Sequence, residues 1–440
     1  MKMTVLAMLA AAVVAAALLL SSPDDSRCDV AVLEIGGGDG RVELVPVDAG
    51  AAGPESLAFD GVGGGPYAGV SDGRVLRWVP GERRWEEHSS SCAPELYVHV
   101  SPSSDLVSDE CFRSFFRMHA LQSGSLVSLR SALLQRCSEG ILFKIYVRAC
   151  RLDSCRGSQD PGREHECGRP LGLKFNHQTG ELYVADAYHG LRVVSPDADK
   201  VSRPVALQWW QGKGRTFCFA NGVEVDPDTG AVYFTETSTR LQRREFLRIV
   251  ISGDTTGRLL RYNPKSGKVE VLVDGLAFPN GLAMSRDGTH LLLAESTTGR
   301  ILRYWLRRPA AKANAPALEE VARLPWFPDN IRMSPRGGFW VGLHARRGRL
   351  AEWCISYPWL RRLVLSLPTR HVQRASWLLN RLGRQVIAVR LSEEDGKVME
   401  MVSVHGDLQK VFRSVSEVEE RNGSLWIGSV MSPFLGVYKL

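Results

Sequence analysis

Glu55, Asn221, Asn280, Asp329 and Asn330 fall at one place in a repeated frame, and together they offer the ligands of a hard cation. The frame is clearest in FANGVEVDPDTGAVYFTETST from Phe219 and FPNGLAMSRDGTHLLLAESTTGRILRY from Phe278. It returns as FPDNIRMSPRGGFWVGLH from Phe327, GPESLAFDGVGGGPYAGVSDGRVLRW from Gly53, RPLGLKFNHQTGELYVADAYHGLRVV from Arg169 and SVSEVEERNGSLWIGSV from Ser414. Aligned, the position near the start of each unit reads Glu55, Leu171, Asn221, Asn280, Asp329 and Ser414, with Asn330 next to Asp329. Calcium favours such a set, mixed carboxylate and amide oxygens with water filling the rest, and two carboxylates balance one divalent ion. A single Asn-Gly also makes an ordinary turn. Its recurrence in register, joined by Glu55 and the Asp329-Asn330 pair, points to a metal site.

The elements that must position these residues follow from the frame itself. Each unit has apolar runs of period two between Gly, Asp and Pro turns such as Asp226-Pro227-Asp228-Thr229-Gly230 and Arg286-Asp287-Gly288, the pattern of short antiparallel strands. Units of three or four strands repeated roughly every 50 residues predict a β-propeller, here six-bladed and all-β, whose innermost strands line a central tunnel. Corresponding positions then face the same end of that tunnel. After the third unit, TSTRLQRREFLRIVISGDTTGR predicts a short helix over one face. After the fifth, PWLRRLVLSLPTRHVQRASWLLNRLG predicts a helical excursion packed on the body, with Arg361, Arg362, Arg370, Arg374 and Arg381 flanking its apolar residues. A membrane-surface helix is the alternative for this stretch. The last strand, GVYKL, is expected to close the ring beside the first blade.

The remaining segments bound the setting. Residues 1–22 carry Lys2, an apolar run over 5–20 and a small polar exit, which predict a signal peptide or an uncleaved signal anchor that would tether the chain to a membrane. Either delivers the 28–440 propeller to the secretory pathway, whether the endoplasmic reticulum lumen, the vacuole or the exterior. Cysteines can oxidise there. Among nine cysteines, Cys155 and Cys167 bracket a polar loop and are the favoured pair. No Cys-x-x-Cys supports zinc or thioredoxin chemistry. Asn422-Gly-Ser424 is a glycosylation sequon in a strand-to-strand turn. Gly36 to Gly40 form a glycine-rich turn without the Lys-Ser/Thr of a phosphate loop. Residues 97–151 break the frame and read as a poorly ordered insert. The net charge of +7 is scattered over the chain and excludes a basic nucleic-acid stripe. A monomer acting on a small molecule is the expectation.

Several of these segments resemble the strictosidine synthase-like proteins of plants: RPLGLKF, VEVDPDTGAVYFTETSTR, ISGDTTGRLLRYNP, LAESTTGRILRYWL, PDNIRMSPRGGFWV and SVSEVEERNGSLWIGSV. The likeness runs from about Glu34 to Leu440, the insert excepted. It implies a six-bladed propeller entering the secretory pathway and a disulfide between Cys155 and Cys167. In strictosidine synthase itself the resemblance implies a catalytic Glu in the last blade, two residues after a His. Those positions are Ser416 and Ser414 here, and a serine without a base cannot perform the proton transfer of a Pictet–Spengler condensation. Adjacent Glu417 is expected to turn away, because neighbours on a strand face opposite sides. The wider superfamily of paraoxonases and gluconolactonases holds calcium with a Glu, Asn, Asn and Asp-Asn set, which matches Glu55, Asn221, Asn280, Asp329 and Asn330. Its His pair falls on Leu171 and Asp186, so Asp329, Asp186 or a metal-bound water remains as the base. His189 and His344 read as surface or capping residues. The leading expectation is thus a calcium-dependent ester or lactone hydrolase. A Pictet–Spengler condensation in alkaloid biosynthesis and a non-catalytic binding propeller of the cell or pollen wall are the alternatives.

Overall fold

In the computed structural model, residues 30–36, 40–48, 50–91, 95–100, 143–148, 152–196, 202–205, 217–310, 314, 316–367 and 385–440 are described. The signal segment, Arg370, Arg374 and Arg381 lie outside them. Apolar alternation between Gly/Asp turns yields six sheets, each a meander whose first strand lies innermost. The first blade comprises Leu57–Ala58, Tyr67–Gly69, Arg74–Val79 and Arg84–Ser90. The second comprises Pro170–Phe175, Leu182–Asp186, Gly190–Val194 and Arg203–Pro204, and the third Ala220–Val225, Val232–Glu236, Gly257–Asn263 and Lys268–Leu276. Pro279–Met284, His290–Glu295, Arg300–Trp305 and Leu318–Arg323 form the fourth. Trp326–Met333, Phe339–Arg346, Gln385–Leu391 and Val398–Val404 form the fifth, and Val415–Arg421, Ser424–Ser429 and Phe434–Lys439 begin the sixth.

Phe434–Lys439 closes the ring beside the first blade, with Leu435 and Val437 packed against Leu57, Ala68 and Trp78. It pairs antiparallel with Val42–Pro46, which completes the sixth blade from the opposite end of the chain. Ala31–Ile35 adds as a fifth strand, parallel to Val398–Val404, at the edge of the fifth blade. Val42–Pro46 thus supplies the fourth strand of a blade that the carboxy-terminal chain leaves at three, while Ala31–Ile35 covers the edge of one that already has four. Ala93–Cys150 is a separate unit, in which Glu95–Val100 pairs antiparallel with Phe143–Arg148. Sequence periodicity had placed no strands there.

Blades stack through their apolar faces. Between the second and third, Tyr183, Leu191 and Val193 pack against Val223, Val232, Phe234 and Leu260, all buried. Each such side chain contributes about 1.5–3 kcal/mol on burial. At the hub the blades meet backbone to backbone, and one glycine stands at each junction: Gly69, Gly172, Gly222, Gly281, Gly342 and Gly428. A Cβ on Gly281 would overlap Asn330 Cα and stand 2.8 Å from the Asp329 carbonyl. Gly281 is absent from the positive-φ glycines, so the requirement is for space. Gly222 and Gly281 therefore admit the inner strand of the next blade, which carries Asn280 or Asp329-Asn330. Gly281→Ala is expected to cost about 1–3 kcal/mol by overpacking and to push Asn330 out of place. A thermal melt and a calcium titration check this; both unchanged would show a junction with room to spare.

His290, on the second strand of the fourth blade, is buried. Its imidazole is pushed down to about 4 by burial and then by Arg303. The unfolded chain binds this proton at the ordinary histidine range and the folded chain does not, so stability should fall as pH drops below about 6.5 and level off near 4, by up to about 3 kcal/mol. In His290→Gln the decline of melting temperature over that window should be shallower than in the wild type. Superimposable curves would refute the assignment.

Three of the described helices lie within blades, two of them between the second and third strands of the fifth blade and one between the second and third strands of the third. The helix α1 (Phe246–Ser252) follows a 3-10 turn over Arg243–Glu245, and α2 (Arg349–Ser356) and α3 (Pro358–Leu365) pack against it through Ile251, Cys354, Leu360 and Val364.

Candidate metal centre at the hub

The inner strands are bulged where the candidate ligands sit. Pairing with the second strand slips between Ala220 and Val223, Pro279 and Leu282, and Pro328 and Ile331. These intervals contain Asn221, Asn280 and Asp329-Asn330. A bulge breaks strict alternation and re-aims a side chain. Asn-Gly is therefore a bulge in these blades and not a hairpin turn.

Two hydroxyls fix how the amides lie. Thr237 Oγ1 donates to the Pro279 carbonyl at 2.9 Å, so it accepts from Asn221 Nδ2 at 3.1 Å. Ser296 Oγ likewise donates to the Pro328 carbonyl at 2.6 Å and accepts from Asn280 Nδ2 at 3.2 Å. Each hydroxyl spends its proton on the next blade, and the amide must turn its NH2 toward it. The oxygens are left over: Asn221 Oδ1 and Asn280 Oδ1 are buried without a hydrogen-bond partner, as is Glu55 Oε2. Asn330 Nδ2 is buried and unpartnered as well; a half-turn of that amide presents its oxygen instead. Thr237 and Ser296 escaped the sequence reading, although both stand sixteen residues after their Asn in the repeated TETST and AESTT.

Asp329 links two of the candidates, Asn280 and Glu55. Asn280 Nδ2 also donates to Asp329 Oδ1 at 2.6 Å. The Glu55 carboxyl is pushed up to about 8, first by burial and then by the nearby Asp329 charge, against the pull of Arg243 and Arg169. Buried oxygens lacking donors, beside two carboxylates that repel, fit a hard divalent cation. Among the described residues no group of three or more His, Cys, Asp and Glu gathers; the set here has two carboxylates, the rest being amides.

Asp186 lies elsewhere in the design. One oxygen accepts from the Arg169 amide at 2.7 Å, the other from the Tyr188 and His189 amides at 2.9 Å each. Glu236 and Glu295 do the same in the next two blades, accepting from the Cys218 amide at 2.9 Å and the Ala277 amide at 2.8 Å. Asp186 is thus one of three acids that tie the second strand of the second, third and fourth blades to the entry of the blade, and its oxygens are committed. His189 Nδ1 sits 3.8 Å from Asp186, within the same tie. His344 has a different position: its Nδ1 is 3.8 Å from Asp329 Oδ2 and its ring is partly exposed.

In the sixth blade Ser416 is buried, and its Oγ accepts from the Val430 amide at 3.1 Å. Glu417 does not turn away from the hub. A bulge between Val415 and Glu417 breaks the alternation, and Glu417 Oε1 accepts from the Leu57 amide of the first blade at 2.7 Å. Its Oε2 lies 2.8 Å from Arg332 Nη2 of the fifth blade. Arg332 Nη2 also reaches Ser56 Oγ at 2.9 Å and the carbonyls of Leu57 and Leu173 at 3.1 and 3.3 Å. One guanidinium thus links four blades. Burial raises the Glu417 carboxyl to about 7 despite Arg332. Cys155 and Cys167 are disulfide-bonded. Asn422 is exposed in the turn between Val415–Arg421 and Ser424–Ser429.

A six-bladed propeller with an oxygen-lined hub is the class that fold and site define. Residues 221–309 match the strictosidine synthase family model and residues 40–78 the strictosidine synthase-like N-terminal model. Strictosidine synthase-like 10 of Arabidopsis thaliana is 40% identical over 391 residues, 89% of this chain and 86% of that protein. Strictosidine synthase-like 2 of the same plant is 36% identical, over 90% of this chain and 89% of that one. The chain belongs to the strictosidine synthase-like family. Among solved structures, a gluconolactonase from Xanthomonas campestris aligns over 92% of this chain and 90% of its own, with 12% identity and a TM-score of 0.48. That likeness is too weak to carry function.

Proposed function

We propose that this chain is a calcium-dependent ester or lactone hydrolase. The reading is supported by the buried, unpartnered oxygens of Glu55, Asn221 and Asn280, together with the bond from Asn280 to Asp329. Calcium bound there would polarise the carbonyl of an ester and stabilise the oxyanion. Glu55, Asn221, Asn280, Asp329 and Asn330 would hold it. Asp329 is oriented by the Asn280 NH2 on Oδ1, which leaves Oδ2 toward His344. From that position Asp329 acts as base or nucleophile, and His344 can receive or return a proton at Nδ1. Folding in the secretory pathway, with a glycan on Asn422, completes the proposal.

A Pictet–Spengler condensation needs a free carboxylate base. Ser416 offers none, and Glu417 is tied to Arg332 and the Leu57 amide. The discriminating experiment is Asn280→Ala, assayed on an arylester and lactone panel with and without calcium. Loss of both calcium binding and turnover is expected. Turnover equal to wild type, or strictosidine formed without metal, would overturn the hydrolase reading.

A further inference from the structure

Arg243 stands at the rim of this centre with no part in holding the ion. It opens the 3-10 turn before α1, and that turn is fixed by reciprocal capping between Gln242 and Glu245. The fully buried Ile249 of α1 packs with Leu171, Phe219 and Phe278. Phe219 and Phe278 each lie two residues before a ligand, Asn221 and Asn280. The excursion is therefore seated on the ligand-bearing end of the hub.

A chain of contacts carries Arg243 toward Glu55. Its Nη1 is 2.6 Å from Glu164 Oε1, and Glu164 Oε2 accepts from the Tyr188 hydroxyl at 2.9 Å. The Arg244 amide donates to the same hydroxyl at 3.2 Å. Arg169 Nε lies 4.0 Å from Glu164 Oε1, and Arg169 Nη2 reaches the carbonyls of Val430 and Gly53 at 3.1 and 3.4 Å. Gly53 is two residues from Glu55. Cys167 ends the one-turn helix that begins at Glu164, so the disulfide to Cys155 anchors this support.

Only one nitrogen of Arg243 is spent. Its Nε and Nη2 make no hydrogen bond among the described residues, while the side chain is 16% exposed. A guanidinium usually satisfies a carboxylate with two parallel bonds; here half of the fork is left for something else. The charges agree. Glu55, Asp329 and Glu164 face Arg169 and Arg243, so a divalent ion would turn the whole centre positive.

We propose that Arg243 is the specificity residue of the site, and that the substrate carries an anionic group, a carboxylate or its equivalent, in addition to the bond that is cleaved. This rests on the hydrolase reading for the reaction, but the binding of the anion can be measured without it. With the calcium-loaded full chain, glutarate serves as the probe in calorimetry. Arg243→Gln should weaken its binding about tenfold or more, while calcium binds no more weakly, because a neighbouring positive charge has gone. Arg243→Lys should recover part of the loss. In turnover, the ratio of kcat/KM for monomethyl glutarate to that for methyl butyrate should fall by a similar factor, chiefly through KM. Equal glutarate affinity in wild type and Arg243→Gln, or no binding to the wild type, would overturn the proposal. So would parallel loss on both esters in a variant that melts like the wild type. If neither ester is turned over by the wild type, the hydrolase reading fails while the glutarate comparison still decides the role of Arg243.

Discussion

Asp329→Asn should lower ester turnover about 10²- to 10⁴-fold, the range of a lost general base, while the propeller stays folded. The change removes one charge and keeps the shape, so the Asn280 contact at 2.6 Å is the bond most directly disturbed. An amide in place of Oδ1 can turn an NH2 toward the NH2 of Asn280, or turn its oxygen there and lose the proton acceptor beside His344. Either way the oriented carboxylate is gone. Removing this charge also relieves Glu55, whose carboxyl Asp329 helps to push up to about 8. The free protein should therefore hold the Glu55 proton less tightly in the variant. The check is steady-state turnover on a good arylester together with a melting curve. Turnover within about threefold of wild type, well inside the loss expected for a base, would remove Asp329 from the chemistry.

Arg332→Met should cost about 3–5 kcal/mol, the penalty for leaving a buried charge without its partner. Arg332 is buried and shares one nitrogen among Glu417, Ser56, Leu57 and Leu173. Without it Glu417 would have to take up a proton. Its folded value, already raised to about 7, would rise further. A carboxyl raised in this way leaves stability intact below its unfolded value and loses it as pH climbs through the folded one. The variant should accordingly be less impaired at pH 5 than at pH 8. Arg332→Met with Glu417→Gln should recover much of the deficit, because no charge is then stranded. Chemical denaturation of the two single variants and the double variant gives the coupling. Purely additive losses would mean that the pair contributes nothing as a pair.

The number of blades and the common register of the hub residues were legible because both rest on repetition. Asn221 and Asn280 sit in frames so alike that their alignment needs no structure, and Gly/Asp turns punctuate each strand. Strand alternation served less well at the hub. Taken as strict, it turned Glu417 outward, whereas the bulge after Val415 brings it between blades. Bulges depend on how a strand pairs with its neighbour, which one segment's composition does not disclose. The partner of the last strand was not legible for a related reason. Val42–Pro46 joins Phe434–Lys439 across the whole length of the chain, and short apolar runs do not name their partners. Asp186 was a candidate base because it falls where the wider superfamily places a histidine. Its equivalence to Glu236 and Glu295 appears only when the three sets of amide bonds are compared. Thr237 and Ser296 were visible as letters, but their service as acceptors follows from the carbonyls that take their protons.

All of the chemistry depends on whether the hub takes up an ion. The most direct test is calorimetric titration of chelator-stripped protein with calcium, run on wild type and on Asn280→Ala. Saturable uptake of a single ion that disappears in the variant is the expected result. No uptake by the wild type, or uptake that survives intact in Asn280→Ala, would contradict it.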